Sequence, residues 1–202
     1  RSWLKRSLLN RLIAFSIAPI KIGSMQSWFV IIPLSATLSL AAQNYPPKDW
    51  QIKTAVLAAP EHERENATVM GYTSDGELTI LRAGSNDLIC LADDPARKGF
   101  SVACYHESLE PFMARGRALR AEGKRNKEIF QIREDEVKAG KLEMPDRALL
   151  CVTTGQVNES TQEIEKVFTR WVFYIPFATA EMTGLPPAPA GPGAPWIMDA
   201  GT

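Results

Sequence analysis

The residues of this 202-residue chain best suited to chemistry lie together in "ICLADDPARKGFSVACYHESLEPF", residues 89–112. The stretch holds Cys90 and Cys104, two of three cysteines, and His106, one of two histidines. A cysteine pair can be a disulfide, a redox couple or part of a metal site, and spacing separates these uses. Redox motifs and zinc sites favour Cys-x-x-Cys, which is absent. Cys90 instead ends one apolar run and Cys104 sits in the next, with the turn "ADDPARKG" between them. Neighbouring antiparallel strands bring facing Cα atoms to ~4.5–5.5 Å, within reach of a disulfide. The expected bond is therefore Cys90–Cys104, a structural staple. Cys151, in "ALLCVTT", is expected to remain a free, buried, apolar-like side chain. Three cysteines permit three single bridges, so a bond from Cys151 to either of the others stays open.

His106, Glu107 and Glu110 are the candidate catalytic residues. An imidazole titrates near neutrality, and a carboxylate a few residues away can orient it for acid/base work. No nucleophile or ligand set accompanies them, and "HESLE" lacks the second histidine of a zinc-protease helix. Their plainer role is a histidine closing a strand, with two carboxylates favouring the N-terminus of a helix. His62 lies in the charged run "PEHEREN". It could meet His106, Asp93 and Asp94 around a metal, but Asp93-Asp94-Pro95 reads first as the start of a turn. No phosphate-cradling glycine loop, Gly-Lys-Ser/Thr or Gly-x-Ser-x-Gly elbow occurs, so no cofactor or resident metal is expected. Lys plus Arg and Asp plus Glu balance at 23 each, with no basic stripe interleaved with aromatics. That balance argues against a nucleic-acid partner.

The elements that would position these residues follow from periodicity. In "DWQIKTAVLAAP", Ile52, Ala55, Val56 and Ala59 share a helical face, with Asp49 as cap and Pro60 as stop. "ATVMGYTSDGELTILRAGSNDLICLADDP" reads as a meander of three short strands turning at Asp75-Gly76 and at Ala83–Asn86. "GFSVACYH" is a fourth. From Ser108, the expected cap, Leu109, Phe112, Met113 and Leu119 form one helical face, with Pro111 in the first turn and Gly123 closing the end. A second helix, from Asn126 to about Ala139, would bury Ile129, Phe130, the Arg133 stem and Val137 before Gly140. The short loop between the two predicts an antiparallel pair. "RALLCVTTG" reads as a central strand. "KVFTRWVFYIP" is the most strand-like segment, and its aromatics are expected mainly in the core, with Trp171 and Tyr174 on opposite faces, which leaves room for one of the two to be exposed. Strands, a helix pair, then strands predict an α+β domain over residues 43–184 with an antiparallel sheet. Residues 185–202, "LPPAPAGPGAPWIMDAGT", are a Pro/Gly-rich tail expected to be extended or mobile.

Residues 1–42 have the parts of a secretory signal: basic Lys5, Arg6, Arg11 and Lys21, then an uncharged run, then Ser39-Leu40-Ala41. Cleavage is expected before Ala42. The rival is a membrane anchor over residues 22–42, which Pro33 and the Ser/Thr content disfavour. Either way the remainder is expected to be exported, to the periplasm or beyond, touching membrane only through this segment. The chain opens on Arg1 rather than Met, from which a non-native start is expected.

"ATVMGYTSDGELTILRAGSNDLICLADDP" followed by "CYHESLEPFMARGR" resembles an exported bacterial domain family of unassigned function, over about residues 67–117. The resemblance implies export and a shared fold. It assigns no catalytic residue. "PWIMDAGT" is similar to a sequence that in such proteins leads into a further strand, so a truncated tail is expected. The resulting expectation is a non-catalytic binding or structural protein. The alternative is a small hydrolase or metal-dependent enzyme using His106, Glu107 and Glu110.

Overall fold

The computed structural model describes residues 45–202. The expectations for the signal or anchor, residues 1–42, lie outside the described residues. Helix α1 (Lys48–Ala55) is followed by strands β1 (Thr68–Tyr72), β2 (Leu78–Arg82), β3 (Leu88–Leu91) and β4 (Phe100–His106). Helices α2 (Glu110–Ala121) and α3 (Asn126–Lys138) come next, then β5 (Ala148–Val157), β6 (Ile164–Tyr174) and the short α4 (Ala180–Thr183). This is the α+β succession the sequence predicts.

The sheet is not purely antiparallel. Its six strands run in the order β2-β1-β3-β4-β5-β6, and β3 lies parallel to β1. The predicted meander fails at its second turn. Residues 83–87 do not fold β3 back on β2 but cross the start of β1. Ser85 and Asn86 donate their backbone N–H groups to the Asn66 carbonyl, at 2.7 and 3.1 Å. The Arg82 guanidinium reaches the Ala67 carbonyl at 2.9 Å. A Cβ on Gly84 would stand 2.2 Å from the Thr68 nitrogen, so only glycine lets the crossing chain lie this close. β3 thus arrives on the far side of β1, running the same way.

Two layers cover the sheet. β4 is central, and its alternation sends Phe100, Val102 and Cys104 to the α1 side and Tyr105 to the side of α2 and α3. On the α1 side the chain tightens into a 3₁₀ turn at Val56–Ala58, so the helical face ends before Pro60. Ala55, Val56 and Ala59 are buried as expected; Ile52 is only half-buried. Asp49 does not cap α1. It lies in the first turn, which Pro47 precedes. Gln51, polar and unremarked by periodicity, is buried and joins α1 to β1. Its amide donates to the Pro46 and Tyr72 carbonyls and accepts the Tyr72 N–H, all within 2.9 Å. Gly71 makes room for it, since a Cβ there would lie 2.5 Å from the Gln51 Oε1.

On the other side Leu109, Phe112 and Leu119 are buried and Met113 packs partly against the same cluster. Gly123 and Gly140 take positive φ and close α2 and α3 with paired backbone bonds, Lys124 N–H to Leu119 and Lys141 N–H to Glu136. Ile129 is buried, but Phe130 is exposed because it points from the outer face of α3. Arg115 forks onto Glu136 and ties the two helices together. β5 is fifth in order, flanked by β4 and β6, and β6 is an edge. The tail from residue 185 forms turns without strands. It folds back through the Gly201 N–H to the Ala178 carbonyl and the Phe177 N–H to Thr202. Among the described residues no helix is long and apolar enough to cross a membrane.

Candidate functional site

The cysteines form one rung across three strands. Cys90 faces Cys104 between β3 and β4, and Cys104 faces Cys151 between β4 and β5. Directly paired antiparallel residues share a sheet face, so all three point into the α1-side core. The disulfide joins Cys90 and Cys104, whose Cα atoms are 4.0 Å apart. Cys151 is free and buried, and burial pushes its thiol above the usual cysteine range. The opening stretch therefore contains a staple.

Glu107 and Glu110 line one open pocket beside Ser108, Glu143 and Met144, but His106 does not join them there. His106 ends β4 and its Nδ1 accepts the Ser108 backbone N–H at 3.2 Å, with the Ser108 hydroxyl at 2.8 Å. It caps the 3₁₀ turn Glu107–Leu109 that leads into α2, a role the sequence suggested for Ser108. The carboxylate nearest its Nε2 is Asp87, at 3.9 Å and largely exposed. Glu107 is exposed. Glu110 turns inward, where it accepts the Tyr105 hydroxyl at 2.5 Å and the Arg117 guanidinium. Burial and that carboxylate push the Tyr105 hydroxyl far above its usual range. This Tyr105–Glu110–Arg117 group is a partly buried structural knot whose members bond one another.

His62 stands on the surface beside Glu63, at 3.6 Å. Asp93 accepts the Ser101 N–H at 2.8 Å and Asp94 accepts the Ala96 N–H at 2.9 Å, so both hold the β3–β4 turn. Among the described residues no group of three or more His, Cys, Asp and Glu side chains is placed to hold a metal ion.

Two features stand out instead; of these the sequence anticipated only that one of Trp171 and Tyr174 could be exposed. The first is β6. Its aromatics were expected mainly in the core, but Phe168, Trp171 and Phe173 are 66%, 55% and 68% exposed. Trp171 faces Cys151 and Phe173 faces Leu149 across the β5–β6 ladder, which puts both on the α1 side, beyond the reach of α1. Phe168 faces Thr154 and lies on the opposite side. Tyr174, as expected, lies opposite Trp171, packed edge-on to Phe112 at 5.5 Å between centroids. Thr169 is the polar anchor of the strand, its hydroxyl 2.8 Å from that of buried Thr153.

The second is a cleft of about 390 Å³ on the α2 side of the sheet. Leu91, Ala103 and Val152 line its floor, and Tyr72, Tyr174 and a set of arginines line its walls. Burial pushes the Tyr72 hydroxyl up to about 12, and it raises the Asp93 carboxyl at the cleft's edge. The clue in the sequence was the pair Gly116 and Arg133. The glycine opens α2 where the Arg133 guanidinium passes, 3.0 Å from where its Cβ would be.

In comparison with known proteins the chain matches no family model, no curated protein and no solved structure.

Proposed function

We propose that this chain is an exported, non-catalytic binding protein that captures an extended segment of a partner polypeptide along β6. The observation that carries this reading is an eleven-residue edge strand showing aromatic side chains on both faces. Exposed edges are usually shortened, charged or covered, because their unpaired backbone groups and apolar side chains recruit other chains. Left open, β6 offers ladder hydrogen bonds for affinity and aromatic contacts for anchoring.

Its charges suggest the partner's character. Glu165 is held by the Asn158 amide at 2.7 Å, which leaves Lys166 and Arg170 as the charges of the strand without a side-chain partner among the described residues. A segment alternating apolar residues with carboxylates complements both features. Export is supported by the Cys90–Cys104 bond, which suits an oxidising compartment, and by the signal-like residues 1–42. The enzymatic alternative through His106, Glu107 and Glu110 has less support. His106 is spent on a cap and Glu110 on Tyr105 and Arg117.

Selection from a displayed peptide library tests the reading. Wild-type protein should enrich extended sequences mixing apolar and acidic residues. Trp171→Glu should lose at least tenfold in affinity for them while melting normally, about 1.4 kcal/mol. A library that yields no enriched sequence, or peptides indifferent to Trp171→Glu, would contradict it.

A further inference from the structure

The cleft beneath α2 carries an excess of positive charge. Arg97, Lys98, Arg117, Arg120, Arg133 and Arg170 line it against two carboxylates, Asp93 and Asp94, both already bonded to the turn that carries them. Of the arginines, Arg117 alone has an ion pair among the described residues, with Glu110. Residues 1–44 contain no Asp or Glu that could supply another.

Among the described residues Arg120 bonds only the Asn126 side-chain oxygen, at 3.0 Å. Arg133 lies over the Phe112 ring, 3.8 Å from its centroid, and gives one weak bond to the Phe112 carbonyl at 3.3 Å. Its Nε is buried with no partner among the described residues. A buried donor left without an acceptor costs on the order of 1–3 kcal/mol, so such groups in a folded chain call for an explanation. Arg120, Arg133 and Arg170 line the same cleft as Tyr174. Like charges held together around an empty space, over an apolar floor, form a receptacle for negative charge.

We propose that this cleft binds a small organic anion, a phosphate or carboxylate on an apolar body. The anionic group sits among Arg120, Arg133 and Arg170, and the body lies on Leu91, Ala103 and Val152. Arginine suits this task because its planar fork bonds two oxygens at once. The size fits a single-ring ligand, since sites of about 300–1,000 Å³ are usual for small molecules. The cleft shares Arg170 with the proposed strand capture, but Trp171 and Phe173, the aromatic anchors of that capture, lie on the opposite face of the sheet, so Trp171→Glu separates the two.

Calorimetric titration of the full chain, made in an oxidising compartment, tests the proposal with three probes: phenyl phosphate, phenylacetate and the neutral benzyl alcohol. At least one of the two anions should bind one-to-one and weaken as salt rises, and benzyl alcohol should not bind. Whichever anion binds identifies the headgroup. Arg120→Gln and Arg170→Gln, both at exposed positions, should each weaken binding about tenfold without shifting the melting temperature. Gly116→Ala should weaken it by displacing Arg133, and Arg125→Gln, outside the cleft, should leave it unchanged. Failure of both anions to bind, equal binding of benzyl alcohol, or binding indifferent to Arg120→Gln and Arg170→Gln would overturn the proposal.

Discussion

Cys104 stands in the middle of a rung of three cysteines, and only one of its two neighbours is bonded to it. Peptide mapping without reductant should find Cys90–Cys104. A Cys104–Cys151 bridge would contradict the arrangement. Cys90→Ser should lower stability by ~2–4 kcal/mol in chemical denaturation, the loop-closure contribution expected for a short bridge. Cys151 should alkylate slowly in the native protein at pH 8 and quickly in denaturant, because burial raises its thiol and blocks access. A native rate equal to the denatured one would contradict its placement. Gly71 gives a second residue-scale test. A methyl group there would collide with both Gln51 and Leu81, so Gly71→Ala should cost roughly 1–3 kcal/mol. A neutral substitution would mean that the Gln51 clasp between α1 and β1 does not form.

Among the elements, α2 was the most legible. Its apolar spacing, its proline in the first turn and its terminal glycine all point one way, and each does what elementary helix chemistry requires. Phe112 is the keystone, lying under Arg133 and against Tyr174. Phe112→Ala should cost ~3–5 kcal/mol, and a loss under about 1 kcal/mol would show that this face is not packed. Elements whose fate depends on long-range partners were harder to read. An apolar, aromatic, β-branched run such as 164–174 looks the same whether the sheet continues past it or stops, because local pattern carries no information about the next strand. Ala83–Asn86 looks like a hairpin turn, and only its contacts with Asn66 make it a crossing. His106 was correctly placed at a strand end, but which neighbour its ring would meet depended on the turn into α2. The arginine cleft draws on six segments of the chain, and no short motif signals such a gathering.

At the scale of the whole molecule, the proposed account is of a stapled α+β domain that works outside the cytoplasm and binds through an unpaired strand. Export is tested by expressing the full chain with a C-terminal tag. The mature product should begin near Ala42 and appear in the periplasm, whereas residues 1–41 intact on membrane-extracted protein would favour the anchor. Strand capture makes a sharper demand. A segment added to β6 must take up its outward backbone groups, and those amides must then exchange more slowly. The most direct measurement is hydrogen exchange with and without the best selected peptide. The account predicts new protection concentrated in residues 164–174, with β2 at the other edge unchanged. Protection confined to other segments, with β6 exchanging as freely as before, would contradict it.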